Sequence, residues 1–209
     1  MTIFIDTQTY PAHGATVLLI TSPSLPALPV FDVDTSRGKL TTRLDLNDDI
    51  DKAKLKHLIK DADVFLQAYR PGGLAGKGFS TTNVLQLKQG IVCANLCAWG
   101  WEGPWKDRKG VRLAIYSVLL PIMQFDSLVQ TATGFNFDEA QAFAEYMGQD
   151  SKPSEIQPRP FPMQAIDHAA GHFLAFGINA ALCKTITVNT IPTSFSTCSQ
   201  ICPTGWWVL

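Results

Sequence analysis

"DDIDKAKLKHLIKDADVFLQAY", residues 48–69, decides the fold. Its first part, residues 48–62, places Ile50, Leu55, Leu58 and Ile59 on one side of a helix. Acidic residues come early and lysines later, as the helix dipole favours. The second part, residues 63–69, is an apolar run of strand length. A helix that leads directly into a buried strand indicates an α/β fold.

Helices and strands alternate on both sides of this stretch. The resulting β-α-β-α-β order predicts an α/β fold with a partial, Rossmann-like open sheet that is mainly parallel and has flanking helices. A long helix with a face of small residues is expected to follow. The other predicted elements are strands at 15–20, 41–46 and 90–96, a helix at 81–88 with Thr81 or Thr82 as its N-cap, partly helical structure within 126–147, and the long helix at 163–184.

Composition excludes several function classes. The net charge is −1, from 17 basic and 18 acidic residues that are scattered along the chain, so neither a nucleic-acid surface nor a membrane-binding patch is indicated. The longest apolar runs, 113–123 and 173–182, are shorter than the ~20 residues of a membrane span. The N-terminus lacks a signal-peptide pattern. We therefore expect an intracellular protein, cytoplasmic first, with mitochondria and peroxisomes as alternatives.

Histidines and cysteines do not predict a metal site. His168 and His172 have the i, i+4 spacing of a zinc pair, but the glutamate of H-E-x-x-H is missing between them. The two C-x-x-x-C pairs, at 93/97 and 198/202, have no histidine nearby to complete a zinc set. They are interpreted as plain thiols.

The glycine-rich stretch "RPGGLAGKGFS", residues 70–80, has two interpretations. It lacks the spacing of a phosphate-binding P-loop, because Pro71 and Gly78 stand where glycine and Ser/Thr are needed. It nevertheless follows a predicted strand, and ligands bind at the carboxyl ends of strands in open α/β sheets. The other interpretation is a turn that needs glycine only for positive φ angles.

Asp126 is the carboxylate with the most chemical interest. It falls in the first turn of a predicted helix, where free N–H groups and the dipole stabilise an anion. It is therefore either an N-cap or a nucleophile, since carboxylates can attack activated acyl groups and form a covalent anhydride. The residues alone leave both possibilities open.

Five blocks in order resemble the family III CoA-transferases, with the nearest likeness to fungal members. The blocks are "SRGKLTTRLDL", "DADVFLQAYRPGGL..GKG", "GIVCANLCAWGWEGPW", "FDSLVQTATG" and "MQAIDHAAGHFLAFGINAAL", and they lie within residues 13–184. The family includes formyl-CoA transferase, carnitine CoA-transferase and alpha-methylacyl-CoA racemase. The resemblance implies that the ligands are an acyl-CoA and a carboxylic acid acceptor, with coenzyme A as part of a substrate and no permanently bound cofactor.

The resemblance also implies roles for individual residues. Asp126 matches the nucleophile, which forms an anhydride and then an aspartyl-CoA thioester. The other matched positions fall into two groups: a CoA-binding set of Lys39, Ala68, Tyr69, Arg70 and Lys77, and an active-site loop set of Trp99, Gly100 and Gln130. Ala68 departs from the family, because many members carry asparagine there. In a racemase of the family the aspartate is paired with a histidine upstream of the strand that "GIVCANL" matches. This chain has no histidine between His57 and His168, so a transferase is favoured.

Three departures from the family pattern bear on activity. The opening segment and the second half of the family's chain are missing, and the second half normally completes an interlocked homodimer. In addition, residues 111–124 separate the loop ending at Gly110 from Phe125 and Asp126. Catalysis depends on ångström-scale placement. The alternative hypothesis is therefore an inactive truncated or mis-spliced product that at most binds CoA or a partner.

The resemblance divides the chain into three parts. Residues 1–149 correspond to part of the family's large domain, with 111–124 as an insertion. Residues 150–184 form a proline-rich connector and the long helix, and residues 185–209 form a divergent tail that has no charged side chain. The insertion is interpreted as an intron retained in frame, which a transcript joining Gly110 to Phe125 would support.

Overall fold

The architecture is known from a computed structural model. It describes residues 10–24, 36–69, 72–97, 104, 125–149, 155–162, 165–188 and 195–198. The proposed insertion at 111–124, the site residues Arg70, Trp99 and Gly100, and most of the tail lie outside these residues.

The described residues form five strands and five α-helices. In chain order these are β1 Val17–Thr21, β2 Lys39–Arg43, α1 Asp49–Asp61, β3 Val64–Gln67, α2 Thr81–Leu87, β4 Val92–Cys97, α3 Phe125–Thr133, α4 Phe135–Tyr146, α5 Ala165–Val188 and β5 Phe195–Cys198. A 3-10 turn, Ala75–Lys77, lies between β3 and α2. All strand pairs are parallel, in a β1-β2 sheet and a β3-β4-β5 sheet. The predicted α/β fold with parallel strands and a long helix is confirmed.

One face of the three-stranded sheet packs against α1 and α2. Cys93 of β4 and the half-buried Phe65 of β3 contribute from the sheet, and Leu55 and Ile59 contribute from α1. The cluster is completed by Leu44, Leu74, Phe79, Val84 and Ile91. Leu44 follows β2, and its N–H donates to Thr21 O at 2.9 Å, so this cluster also joins the two sheets.

The opposite face packs against α5. Ala94 and Leu96 of β4 point to this side because side chains alternate along a strand. They contact Ala170, Leu174 and Ile178 of α5. Of the seven residues in the predicted small-residue face of α5, five are buried and two, Ala165 and Ala169, are half-buried. The buried ones are Ala170, Gly171, Ala175, Gly177 and Ala181. Helices therefore cover both faces of a sheet whose central strand, β4, is buried along its whole length.

Helix α5 is also the one described helix that is long and apolar enough to cross a membrane. The window spans Ala165–Thr187. Length and composition alone are weak evidence, since core helices of globular domains pass the same test. The packing of Leu174 and Ile178 on β4 is that of a core helix.

Several predicted boundaries differ from the observed ones. Strand β2 covers residues 39–43 rather than 41–46, because the chain turns after Leu44 enters the core. The N-cap of α2 is Ser80, whose side chain accepts a hydrogen bond from Asn83 N at 3.2 Å, rather than Thr81 or Thr82. The tail was not expected to form a finished element, yet it contributes β5 next to β4.

Candidate functional site

Helix α3 begins at Phe125, so Asp126 lies in its first turn as the sequence predicted. The side chains of residues 125–128 are outside the part of the structure that is described. The first N–H groups of a helix have no partner within the helix and carry the positive end of the dipole. Position 126 is therefore a favourable place for an anion, and Gln130 lies one turn further along the same side.

Gln130 is buried, with an exposed fraction of 2%. Its side-chain Oε1 accepts a hydrogen bond from Phe161 N at 3.0 Å. Phe161 belongs to the proline-rich connector, which thereby contacts α3. The side-chain oxygen of this predicted active-site residue is thus used in an internal contact.

Gly134 joins α3 to α4 as a single residue. Its φ is +81°, a conformation that side-chain-bearing residues rarely adopt. A Cβ at this position would meet no atom within 4 Å, so the backbone angle is the reason for glycine. The helix pair α3–α4 is therefore the local structure behind the sequence block from Asp126 to Gly134.

Two amide side chains pair across β3 and β4: the half-buried Gln67 at the end of β3 and the buried Asn95 within β4. Gln67 and Asn95 are register partners, and Gln67 Nε2 donates to Asn95 Oδ1 at 2.6 Å. Asn95 is 6% exposed, and Gln67 Oε1 is a buried acceptor without a hydrogen-bond partner. Sequence reasoning missed both residues, although a polar residue near the end of an apolar strand is the signal that marks them.

The predicted CoA-binding residues Ala68 and Tyr69 follow directly after Gln67. Both are exposed, and Tyr69 has an exposed fraction of 45%. They lie at the carboxyl edge of the parallel sheet, where open α/β sheets bind ligands. Trp99 and Gly100, which follow β4 in the sequence, are outside the described residues.

Lys77 lies at the end of the 3-10 turn, and its Nζ donates to Asn47 Oδ1 in the loop before α1. The neighbouring Gly72 and Gly78 have φ angles of +78° and +90°. The positive φ angles expected for a turn in the glycine-rich stretch are therefore confirmed at Gly72 and Gly78. The other interpretation of the stretch, a ligand site, stays a prediction.

Lys39 occupies a different place from the other predicted CoA-binding residues. It is the first residue of β2, half-buried and paired with Val17. It thus lies at the amino end of its strand, in the two-stranded sheet, whereas Ala68 and Tyr69 follow the carboxyl end of β3.

The described cysteines and histidines form no metal-binding group, although Cys97 and Cys198 are register partners on β4 and β5. No group of three or more His, Cys, Asp or Glu residues within the described ranges could hold a metal ion. Cys93 and Cys97 are buried free thiols, and burial raises the pKa of the Cys93 thiol to about 11. Cys93 is therefore protonated at neutral pH and is not a nucleophile in this state.

Solved structures share this architecture. A crystal structure of Rv3272 from Mycobacterium tuberculosis superimposes with a TM-score of 0.72 at 24% identity, over 94% of this chain and 48% of that one. A CAIB/BAIF family protein from Brucella suis gives a TM-score of 0.67 at 16% identity, over 93% and 47%. The fold is that of the CaiB/BaiF class.

The sequence assigns the family. Residues 23–188 match the profile of CoA-transferase family III, and the chain belongs to that family. Similar proteins include "Acetyl-coenzyme A transferase nodX" of Hypoxylon pulicicidum, 36% identical over 50% of this chain and 18% of the relative. "Probable fatty acyl-CoA transferase Rv3272" is 28% identical over 77% and 34%. An "Acyl-CoA transferase" of Gibberella moniliformis is 32% identical over 68% and 23%. The chain thus spans about a third or less of these relatives' length.

Proposed function

We propose that the protein transfers CoA from an acyl-CoA thioester to a carboxylic acid, with Asp126 as the nucleophile. The observation that carries the proposal is the position of Asp126 in the first turn of α3, within a chain matched to CoA-transferase family III. A helix N-terminus stabilises the carboxylate, which is the nucleophilic form. The names of the relatives support the acyl-CoA substrate class.

The proposed reaction proceeds through covalent intermediates on Asp126. A carboxylate oxygen attacks the thioester carbonyl of the donor, the C–S bond breaks, and an acyl-aspartyl anhydride and CoA thiolate form. The thiolate then attacks the aspartyl carbonyl, which releases the donor acid and leaves aspartyl-CoA. The acceptor carboxylate repeats the two steps in reverse and leaves with CoA, so Asp126 is regenerated. Splitting the transfer in this way replaces one difficult step with easier ones.

Trapping the intermediate tests the assignment. Hydroxylamine cleaves an aspartyl anhydride or thioester to a hydroxamate, so incubation with acetyl-CoA and hydroxylamine should modify Asp126, as detected by peptide mass spectrometry. Asp126→Asn should abolish the modification and reduce transfer by a factor on the order of 10³ or more. Asp138, in the first turn of α4, is a matched carboxylate, and Asp138→Asn should change neither result. Transfer that persists in Asp126→Asn would contradict the proposal.

The second candidate is a CoA-binding protein without turnover. It is favoured by the contact of Gln130, because the side-chain oxygen of this predicted active-site residue accepts a hydrogen bond from Phe161 N. Calorimetry with CoA, combined with the hydroxylamine assay, distinguishes the two candidates. Micromolar CoA binding without hydroxamate formation supports the binding protein. CoA binding together with hydroxamate formation supports the transferase. A racemase is the less favoured alternative and would exchange the α-proton of a 2-methylacyl-CoA with solvent deuterium.

A further inference from the structure

The connector segment, residues 158–162, has an unusual pattern of donors. Its sequence is Pro-Arg-Pro-Phe-Pro, and proline has no backbone N–H. Only Arg159 and Phe161 can therefore donate from the backbone. Both do so to the α3–α4 pair: Arg159 N to Asn136 O at 2.8 Å, and Phe161 N to Gln130 Oε1 at 3.0 Å. The alternation of proline thus leaves donors only on the side that meets the helices.

The side chains of the same two residues add a second set of contacts. The Arg159 guanidinium lies 3.8 Å from the centre of the Phe143 ring, a cation–π contact. The Phe161 and Phe135 ring centres are 4.6 Å apart, with the rings tilted by 42°. Each non-proline residue of the segment is therefore held by both its backbone and its side chain.

Gln130 is a point at which the connector segment reaches α3. The other three contacts, through Phe135, Asn136 and Phe143, all fall on α4. Because Gln130 is 2% exposed, water cannot readily replace the bond from Phe161 N if it is lost. Helix α5, which follows the segment in the sequence, contacts α3 and is packed on β4.

We propose that Gln130, together with the connector segment, fixes the position of helix α3 along its own axis. The inference rests on the proposed function, in which Asp126 stands one turn before Gln130. A displacement of about 1 Å at the reacting group can cost ~100-fold in rate. Gln130 is accordingly a positioning residue rather than a group that contacts the substrate.

Four variants separate this role from general stability. Gln130→Met removes the acceptor at similar volume, and Phe161→Pro removes the donor. Phe161→Leu is the matched control, since it loses the ring but keeps the N–H. Gln130→Met and Phe161→Pro should each slow Asp126 modification by acetyl-CoA about 10–100-fold at saturation, with the KM for acetyl-CoA within about twofold. The double variant should be no slower than either single one, because both remove the same bond.

Hydrogen exchange provides a readout that does not need activity. Amides of α3 should exchange at least about tenfold faster in Gln130→Met than in wild type, whereas amides of α2, on the other side of the molecule's sheet, should be unchanged. Equal acceleration in α2 and α3, or no acceleration in α3, would overturn the inference. If wild type forms no adduct, the proposed function fails while the exchange result still decides the role of Gln130.

Discussion

The Gln67–Asn95 pair shows how one residue contact affects both the sheet and its ligand-binding edge. The 2.6 Å bond joins β3 to β4 just before Ala68 and Tyr69. The net contribution of an intramolecular hydrogen bond to stability is about 0.5–1.5 kcal/mol. Gln67→Leu should therefore lower the free energy of unfolding by that amount, as measured by urea denaturation.

The exposed Gln86 of α2 supplies the control for this measurement. Gln86→Leu should change the free energy of unfolding by no more than about 0.5 kcal/mol, since surface substitutions away from special features have small effects. If Gln67→Leu also changed the free energy of unfolding by no more than about 0.5 kcal/mol, the hydrogen bond would contribute nothing measurable to stability.

Individual residues were only partly predictable from the sequence. The place of Asp126 in a first helical turn could be predicted because local pattern sets helix starts. The internal contact of Gln130 could not, because its partner, Phe161, lies 31 positions away. Gln67 and Asn95 were missed for the same reason: strand pairing, which the sequence does not specify residue by residue, brings the two amides together.

At the scale of elements, α1 depends on a defined start. Asp48 is its N-cap and accepts a hydrogen bond from Ile50 N at 3.3 Å. Asp48→Ala should destabilise the protein by about 1 kcal/mol, because the first-turn N–H loses its partner. Asp48→Asn retains a capping oxygen and should cost clearly less, so urea denaturation of the two variants isolates capping. Equal costs would show that capping is not what Asp48 contributes.

Elements with a strong local pattern were predicted, and the one without such a pattern was missed. Apolar runs identified the strands that became β1, β3 and β4, and helical periodicity identified α1. Strand β5 lies in a Ser/Thr-rich tail that has no such run. Its pairing with β4 defines it, and that neighbour is about a hundred positions away.

At the scale of the whole molecule, the exposed side of α5 carries large apolar side chains. Phe173 and Phe176 are 38% and 65% exposed on this side, next to the polar His172 and Asn179. Exposed apolar patches promote association. We therefore expect concentration-dependent self-association, measured by sedimentation velocity, that Phe176→Ser weakens.

The same helix supplies the control for this expectation. Phe176→Ser should leave the free energy of unfolding nearly unchanged, whereas Leu174→Ala, on the buried side, should cost about 2–5 kcal/mol. Association that is insensitive to Phe176→Ser would show that another surface is responsible.

Helix α5, which covers one face of the three-stranded sheet, is synthesised long after strands β3 and β4. Strands β3 and β4 are complete when the chain has reached Cys97, but α5 begins only at Ala165. At about 5–20 residues per second, a ribosome needs several seconds to add the roughly 70 residues in between. During that interval Ala94 and Leu96 of the nascent sheet have no helix to cover them. We therefore expect the growing polypeptide to be a substrate for ribosome-associated chaperones during this period of translation.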